Sequence, residues 1–176
     1  FLPSYAGPRR ADLDVRFAEV VVDPVQGTVT FSAALVGPID PASGAFYVFG
    51  IDRGRGEVGR DLVFQGALGG EPKIGRGVRW DAAIWLLANG QAVFFDALHP
   101  GVVPLPDVVA RIAGSEISAT VPLALLPSQG ASLKDYTFNF WPRSQVSLAN
   151  TTVADFAPDD GDARVGIAGK RTAFKM

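Results

Sequence analysis

The chain has 176 residues, a formal net charge of −2 and 48% hydrophobic residues, which predicts one folded domain over residues 1–176 with a core of its own. The near-neutral charge gives no reason to expect nucleic acid as a partner. The absence of cysteine excludes disulfides and thiolate metal sites. No apolar run reaches the roughly 18 residues that a membrane-spanning helix needs, so we expect no membrane span.

Charged residues make up only 19% of the chain, below the roughly 25% usual for soluble domains. A chain so poor in charge either has a large core or hides part of its surface against a partner. The sequence begins at Phe1 without a methionine or a leader segment. A processed mature chain has this appearance, and a chain trimmed at its start would have the same one.

Short apolar runs rich in Val, Phe, Ile and Thr alternate with Gly and Pro, as in folds made of many short strands and turns. In chain order, the predicted strands cover residues 15–22, 28–36, 45–51, two strands of a hairpin within 80–98, 108–113, 116–121, 136–141 and 152–156, with weaker signals at 62–68 and 164–168. A single helical turn is predicted at 122–126. About nine or ten strands with little helix predict an all-β, antiparallel, jelly-roll-like sandwich.

The strongest local signal is the hairpin around Asn89-Gly90, the preferred dipeptide of a two-residue type I′ turn. That turn would pair Trp85 with Phe94 on one face and Ile84 with Phe95 on the other. Both faces are then apolar, whereas sandwich strands normally leave one face in water. The second face therefore needs a cover, and we expect another copy of the chain or another surface protein to provide it.

Aromatic side chains are the candidate ligand and interface residues of this chain: Trp80, Trp85, Phe94, Phe95 and Trp141. Exposed tryptophans serve as platforms for sugar rings, although buried aromatics are commoner. Trp141 has the most suitable position, because the alternation of Phe138 and Phe140 directs it to the opposite face of its strand. A glycan is therefore an alternative partner.

Four carboxylates lie within eight residues near the end of the chain: Asp155, Asp159, Asp160 and Asp162. With Gly161 to turn the backbone, they could surround a calcium ion with oxygen atoms. The spacing is not that of an EF-hand, because no carboxylate closes a twelve-residue loop. The alternative is a metal-free acidic turn in solvent.

The sequence offers few groups for catalysis. His99 is the only histidine, and no serine lies in a Gly-x-Ser-x-Gly motif. Asp81 and Asp96 fall on the same side of the predicted hairpin and could form a glycosidase pair. The alternative places one in water and the other on a loop or an arginine. We expect no enzyme. The long Gly- and charge-rich stretch 52–79 is instead a candidate contact surface.

A family resemblance lies in the second half of the chain. It is carried by EISATVPL at 116–123, LLPS at 125–128, YTFN at 136–139 and ADFAPD at 154–159. These segments, less than a third of the chain, resemble secreted bacterial β-sandwich domains of the family-9-type carbohydrate-binding and DOMON-like group. The resemblance implies an extracellular sandwich and, loosely, a sugar site. Haem ligation is not carried over, because His99 and Met176 match no ligand position.

Two functions follow from these observations. The first is a non-catalytic structural or adhesive domain at the cell surface, which acts through self-assembly or protein–protein contacts. The second is a carbohydrate-binding module with an aromatic platform and a structural calcium ion.

Overall fold

A computed structural model of the chain describes residues 1–59, 75–146 and 149–169. The strand expected at 62–68 lies outside these ranges. The strands that the structure describes are β1 (Val15–Asp23), β2 (Thr28–Leu35), β3 (Phe46–Asp52), β4 (Ala82–Leu87), β5 (Ala92–Asp96), β6 (Val102–Pro104), β7 (Arg111–Ala113), β8 (Glu116–Pro122), β9 (Thr137–Arg143), β10 (Ala163–Arg164) and β11 (Gly166–Ile167). Short 3₁₀ turns lie at Ala11–Leu13, Leu123–Leu125, Leu133–Asp135 and Asn150–Thr152.

The strands form two sheets. One has five strands in the order β11-β1-β2-β8-β7, and the other has six in the order β10-β9-β3-β4-β5-β6. The pairs are antiparallel except for β1 with β11, which is parallel. The predicted all-β sandwich is therefore confirmed. Among the described helical segments, none combines the length and apolar character needed to cross a membrane.

The main core lies between the two sheets. In β2, Val29, Phe31, Ala33 and Leu35 are buried while the residues that alternate with them are half-exposed, the period-two pattern of a strand with one wet face. The Phe31 ring meets Phe49 of β3 at 5.3 Å between centroids, and Phe49 meets Phe140 of β9 at 4.6 Å. Burial of each such side chain contributes roughly 1.5–3 kcal/mol.

The alternation predicted for β9 is confirmed. Phe138 and Phe140 point into the main core, whereas Trp141 lies in a second apolar cluster on the outer face of the six-stranded sheet. The six-stranded sheet therefore has buried apolar residues on both of its faces.

The hairpin between β4 and β5 differs from the prediction by one residue. Trp85 pairs with Val93 and Ile84 with Phe94, because the loop is a three-residue one closed by Leu87 N–H donating to Gln91 O at 2.9 Å. Gly90 alone has a positive φ there, of 90°, which is the type I turn followed by a left-handed glycine. The predicted type I′ turn was wrong, and Phe94 now faces the main core while Phe95 shares the outer face with Trp85.

Three other strand predictions need correction. Residues 152–156 form no strand; Val153 and Phe156 both reach the outer cluster, a spacing of three that a period-two strand cannot give. The weak signal at 164–168 covers parts of two strands in different sheets, β10 and β11. Of the strand predicted at 108–113, only β7 (Arg111–Ala113) is a strand in the structure. The sequence did not predict β6.

One lateral side of the sandwich is formed where the chain passes from β6, at the edge of one sheet, to β7, at the edge of the other. We call residues 102–113 the β6–β7 side. Leu105 N–H donates to Ala92 O and Ala110 N–H donates to Gly90 O. These bonds attach the connecting segment to the β4–β5 hairpin of the six-stranded sheet. The pairing of β7 with β8 attaches its other end to the five-stranded sheet.

Candidate functional site

The outer face of the six-stranded sheet is covered by the chain itself. Its buried cluster consists of Phe46, Val48, Val78, Trp80, Ala83, Ala97, Trp141, Val153 and Phe156. Leu2 packs against the cluster, and its N–H donates to Ala154 O at 2.8 Å. The expected cover is therefore largely supplied by the N-terminal segment and two loops. This face no longer requires a partner.

The predicted aromatic site residues do not form one surface. Trp80 and Trp141 are 2% and 1% exposed, and Phe94 is buried in the main core. None of these three presents a ring face to a ligand. Trp85 and Phe95 are half-buried, and their rings stack at 5.9 Å with 14° between the planes. The aromatic pair that solvent reaches is therefore Trp85–Phe95.

Asp81 and Asp96, the predicted carboxylate pair, both contact Arg53. Arg53 Nε lies 2.6 Å from Asp81 Oδ1, and Arg53 Nη2 lies 3.4 Å from Asp96 Oδ1. Arg53 and Asp81 are fully buried, and the second Asp81 oxygen accepts the Arg53 and Arg55 backbone N–H groups at 2.9 and 3.0 Å. The arrangement stabilises the start of the loop after β3, and both oxygens of the buried Asp81 carboxylate accept hydrogen bonds from that loop.

His99 lies at the margin of this network. Its Nδ1 is 3.5 Å from Asp96 Oδ2, and its side chain is 85% exposed. No other side chain among the described residues is hydrogen-bonded or ion-paired with this imidazole.

The four predicted calcium ligands point in different directions. Asp155 Oδ2 accepts the Val15 N–H at 2.9 Å, Asp159 and Asp160 are exposed, and Asp162 accepts the Arg79 N–H at 3.1 Å. In the described ranges no group of three or more acidic, histidine or cysteine side chains has the arrangement of a metal site. Calcium binding by these residues stays a prediction, which calorimetric titration with calcium chloride checks.

Asp162 has the most perturbed acidity of the described carboxyl groups. The pKa of Asp162 is raised to about 7, mainly by burial and also by the neighbouring charge of Asp52, although the hydrogen bond from Arg79 N–H lowers it. Asp52 is itself held by the N–H groups of Gly54 and Gly56. The Arg79 N–H therefore attaches the acidic loop to the segment before β4.

Exposed apolar residues are grouped on the β6–β7 side. Val102 and Val103 are 55% and 51% exposed in β6, and Val109 is 62% exposed in the segment before β7. Elsewhere the large exposed hydrophobic residues of the described ranges are dispersed: Phe1, Phe17, Val25, Val36 and Val146. Grouped apolar residues mark contact surfaces more often than single ones do.

A groove of about 390 Å³ runs along this side. One wall consists of Asp107, Val108, Val109 and Arg111, and the other of residues 118–120 of β8. The groove exists because β7 pairs only with residues 116–118 of β8, so that β8 extends beyond the end of its neighbour. Its lining is more polar than apolar and includes one acidic and one basic group, Asp107 and Arg111.

Our sequence reasoning did not identify the β6–β7 side as a site. The prolines at positions 100, 104 and 106 interrupt the pattern of a strand, so the sequence did not predict the short strand β6. A usable signal was present in Asp107, Val109 and Arg111, because every second residue of an extended segment faces the same way. The same reading of the predicted strand 108–113 would have placed all three on the solvent face.

Comparison with known protein families found no family model that matches the chain, and comparison with curated proteins found no match. The resemblance to family-9-type carbohydrate-binding and DOMON-like domains therefore stays a prediction. The functional argument depends on the surfaces of the molecule.

Proposed function

We propose that the chain is a non-catalytic structural or adhesive domain of a secreted or surface protein, which acts through protein–protein contacts on the β6–β7 side. The observation that carries the proposal is the grouping of Val102, Val103 and Val109 beside a groove that holds Asp107 and Arg111. Apolar residues beside a few charged groups are typical of surfaces that bind proteins.

The state of the other candidate surfaces supports this choice. Most of the outer aromatic face is packed against the chain's own loops, and the carboxylates that a hydrolase would use are bonded to Arg53. The β6–β7 side therefore carries the largest group of exposed apolar residues among those that the structure describes.

A photo-crosslinking amino acid at position 103 tests the proposal in the cells that produce the protein. The matched control carries the same amino acid at Val25, which is exposed on the turn after β1. We expect protein adducts from position 103 and few from position 25. Mass spectrometry of the adducts then identifies either the same chain or another protein. If position 103 gives no protein adduct, the proposal fails.

A glycan-binding function is the second candidate, and the stacked Trp85–Phe95 pair favours it. Two half-buried rings with nearly parallel planes offer apolar surface of the kind that sugar rings stack on. Trp85→Ala should abolish binding on a glycan array, whereas Phe17→Ala, which removes an exposed ring of β1, should leave it unchanged. Absence of binding by the unaltered protein to any glycan contradicts this function.

A further inference from the structure

We propose that the partner on the β6–β7 side is a second copy of this chain, docked with its segment 107–111 antiparallel to the same segment of the first. The inference depends on the proposed function and deepens it by naming the partner. Three features of the segment carry it: its alternation, its charge order and its position between two sheet edges.

The segment alternates between solvent and core. Asp107, Val109 and Arg111 are exposed, whereas Val108 is half-buried and Ala110 is buried. We call these three exposed side chains the row. It begins at Asp107, in the turn that Val108 N–H closes by donating to Leu105 O at 3.0 Å, and it ends at Arg111, the first residue of β7. Among the described ion pairs, none involves Asp107 or Arg111.

The charge order of this row is complementary to itself. It reads negative, apolar, positive, so an antiparallel copy presents positive, apolar, negative. A two-fold axis through Val109 would place Asp107 against Arg111 of the second copy, and Arg111 against Asp107 of the second copy. A two-fold interface forms each contact twice in this reciprocal way. Val109 would meet its own counterpart at the axis.

The neighbouring strand adds apolar area and limits the assembly. In β6, Val103 pairs with Phe94 of the main core and Val102 with Phe95 of the outer face, so of the two exposed valines only Val103 is directed towards the five-stranded sheet. Pro104 has no N–H to donate, so the edge of β6 is a poor template for adding further strands. Contact would therefore be made by side chains around a closed two-fold axis, which gives a dimer and not an open filament.

Charge exchange with sedimentation velocity tests the geometry. The single variants Asp107→Arg and Arg111→Asp each create like charges at both ends of the row, and we expect each to weaken the dimer at least about tenfold. The double variant Asp107→Arg/Arg111→Asp restores opposite charges and should return the dissociation constant to within about threefold of the starting value. Glu19→Arg, on the exposed part of β1, changes charge by the same amount and should have no effect.

Each outcome decides for or against the dimer. Thermal unfolding of every variant confirms that the fold is intact before association is compared. A concentration-dependent dimer that the single variants weaken and the double variant restores supports the inference. A monomer at every soluble concentration, or a dimer indifferent to the exchanges, overturns it. In both of those cases adducts from position 103 to a different protein would leave the proposed function standing, so the two failures are distinguishable.

Discussion

Arg53 carries a buried positive charge, and the two neighbouring carboxylates compensate that charge to different extents. Its guanidinium is 1% exposed and lies 2.6 Å from fully buried Asp81, but 3.4 Å from Asp96, which is 23% exposed. Removal of one member of a buried pair leaves the other charge without compensation. The partly exposed member keeps access to water, so its loss costs less.

We therefore predict that Asp81→Asn lowers the free energy of unfolding by about 3–5 kcal/mol. The matched variant Asp96→Asn should lower it by less than about 1 kcal/mol. Urea denaturation followed by circular dichroism measures both. Equal losses of unfolding free energy in the two variants would contradict the prediction, because they would mean that Asp96 stabilises the Arg53 charge as much as Asp81 does.

Asp162 predicts a pH dependence of stability. Because burial raises its pKa in the folded protein to about 7 from an ordinary 3.8, the folded state holds this proton more tightly than the unfolded chain does. The resulting stabilisation is complete below about pH 4 and is lost as the pH rises to about 7. Asp162→Asn should remove this contribution, because its amide oxygen can still accept the Arg79 N–H.

The melting temperature of the unaltered protein relative to Asp162→Asn should therefore fall between pH 4 and pH 8. Calorimetry of both proteins in a chelating buffer measures the difference without interference from calcium. Burial raises the pKa of Asp155 as well, and hydrogen bonds lower those of Glu57 and Asp135, so the absolute melting curve has several contributions and only the difference isolates Asp162. A difference that is constant with pH contradicts the prediction.

Among the elements, the β4–β5 hairpin shows that a hydrophobic pattern alone does not always determine the register of two paired strands. A shift of one residue in register moves each side chain to the other face of its strand. Where one face is polar, the pattern selects the register, as it did in β2. Both faces of this hairpin are apolar, so only the turn geometry determines the register. The dipeptide Asn89-Gly90 fits both a two-residue and a three-residue loop, so the sequence did not select between them. Gln91 N–H donates to Asn89 Oδ1 at 3.1 Å, which holds Asn89 in the three-residue form.

The elements that cover the outer face were the least predictable part of the fold. Their contacts join Leu2 to Ala154 and the loop before β4 to residues distant in the sequence, and no local periodicity encodes such pairs. By contrast, β2 and β8 were predictable because each alternates buried with more exposed residues, and β9 was predictable because its aromatic side chains alternate between the two faces of its sheet. The candidate site was missed for the same reason as the cover, since it lies in irregular segments between strands.

Phe156 allows a direct test of this cover. It is buried in the outer cluster, with its ring centroid 6.1 Å from that of Trp141, although it lies in a loop. We predict that Phe156→Ala costs about 3–5 kcal/mol, as for a core phenylalanine. Phe17→Ala, in which the lost ring is 52% exposed, should cost less than about 0.5 kcal/mol. Denaturant unfolding compares the two, and a small loss in both would mean that the cover contributes little.

For the whole molecule, the low charge content predicted either a large core or a hidden surface. The described residues show that a large core accounts for much of the low charge content, because the six-stranded sheet is packed on both faces instead of one. The composition could not distinguish a cover made by the chain from one made by a partner, since both bury the same residues. The smaller group of valines on the β6–β7 side is what remains for a partner.

Packing on both faces of one sheet also predicts how the molecule unfolds. All three tryptophans of the chain, Trp80, Trp85 and Trp141, belong to or pack against the outer cluster, so tryptophan fluorescence reports that cluster alone. Far-ultraviolet circular dichroism reports both sheets. Because β3, β4 and β9 contribute side chains to both clusters, neither cluster can lose its packing without disturbing the other. We therefore expect the two signals to give the same denaturation midpoint, as for a single cooperative domain. A fluorescence transition at lower denaturant than the circular dichroism transition would instead show that the outer cover unfolds as a separate unit.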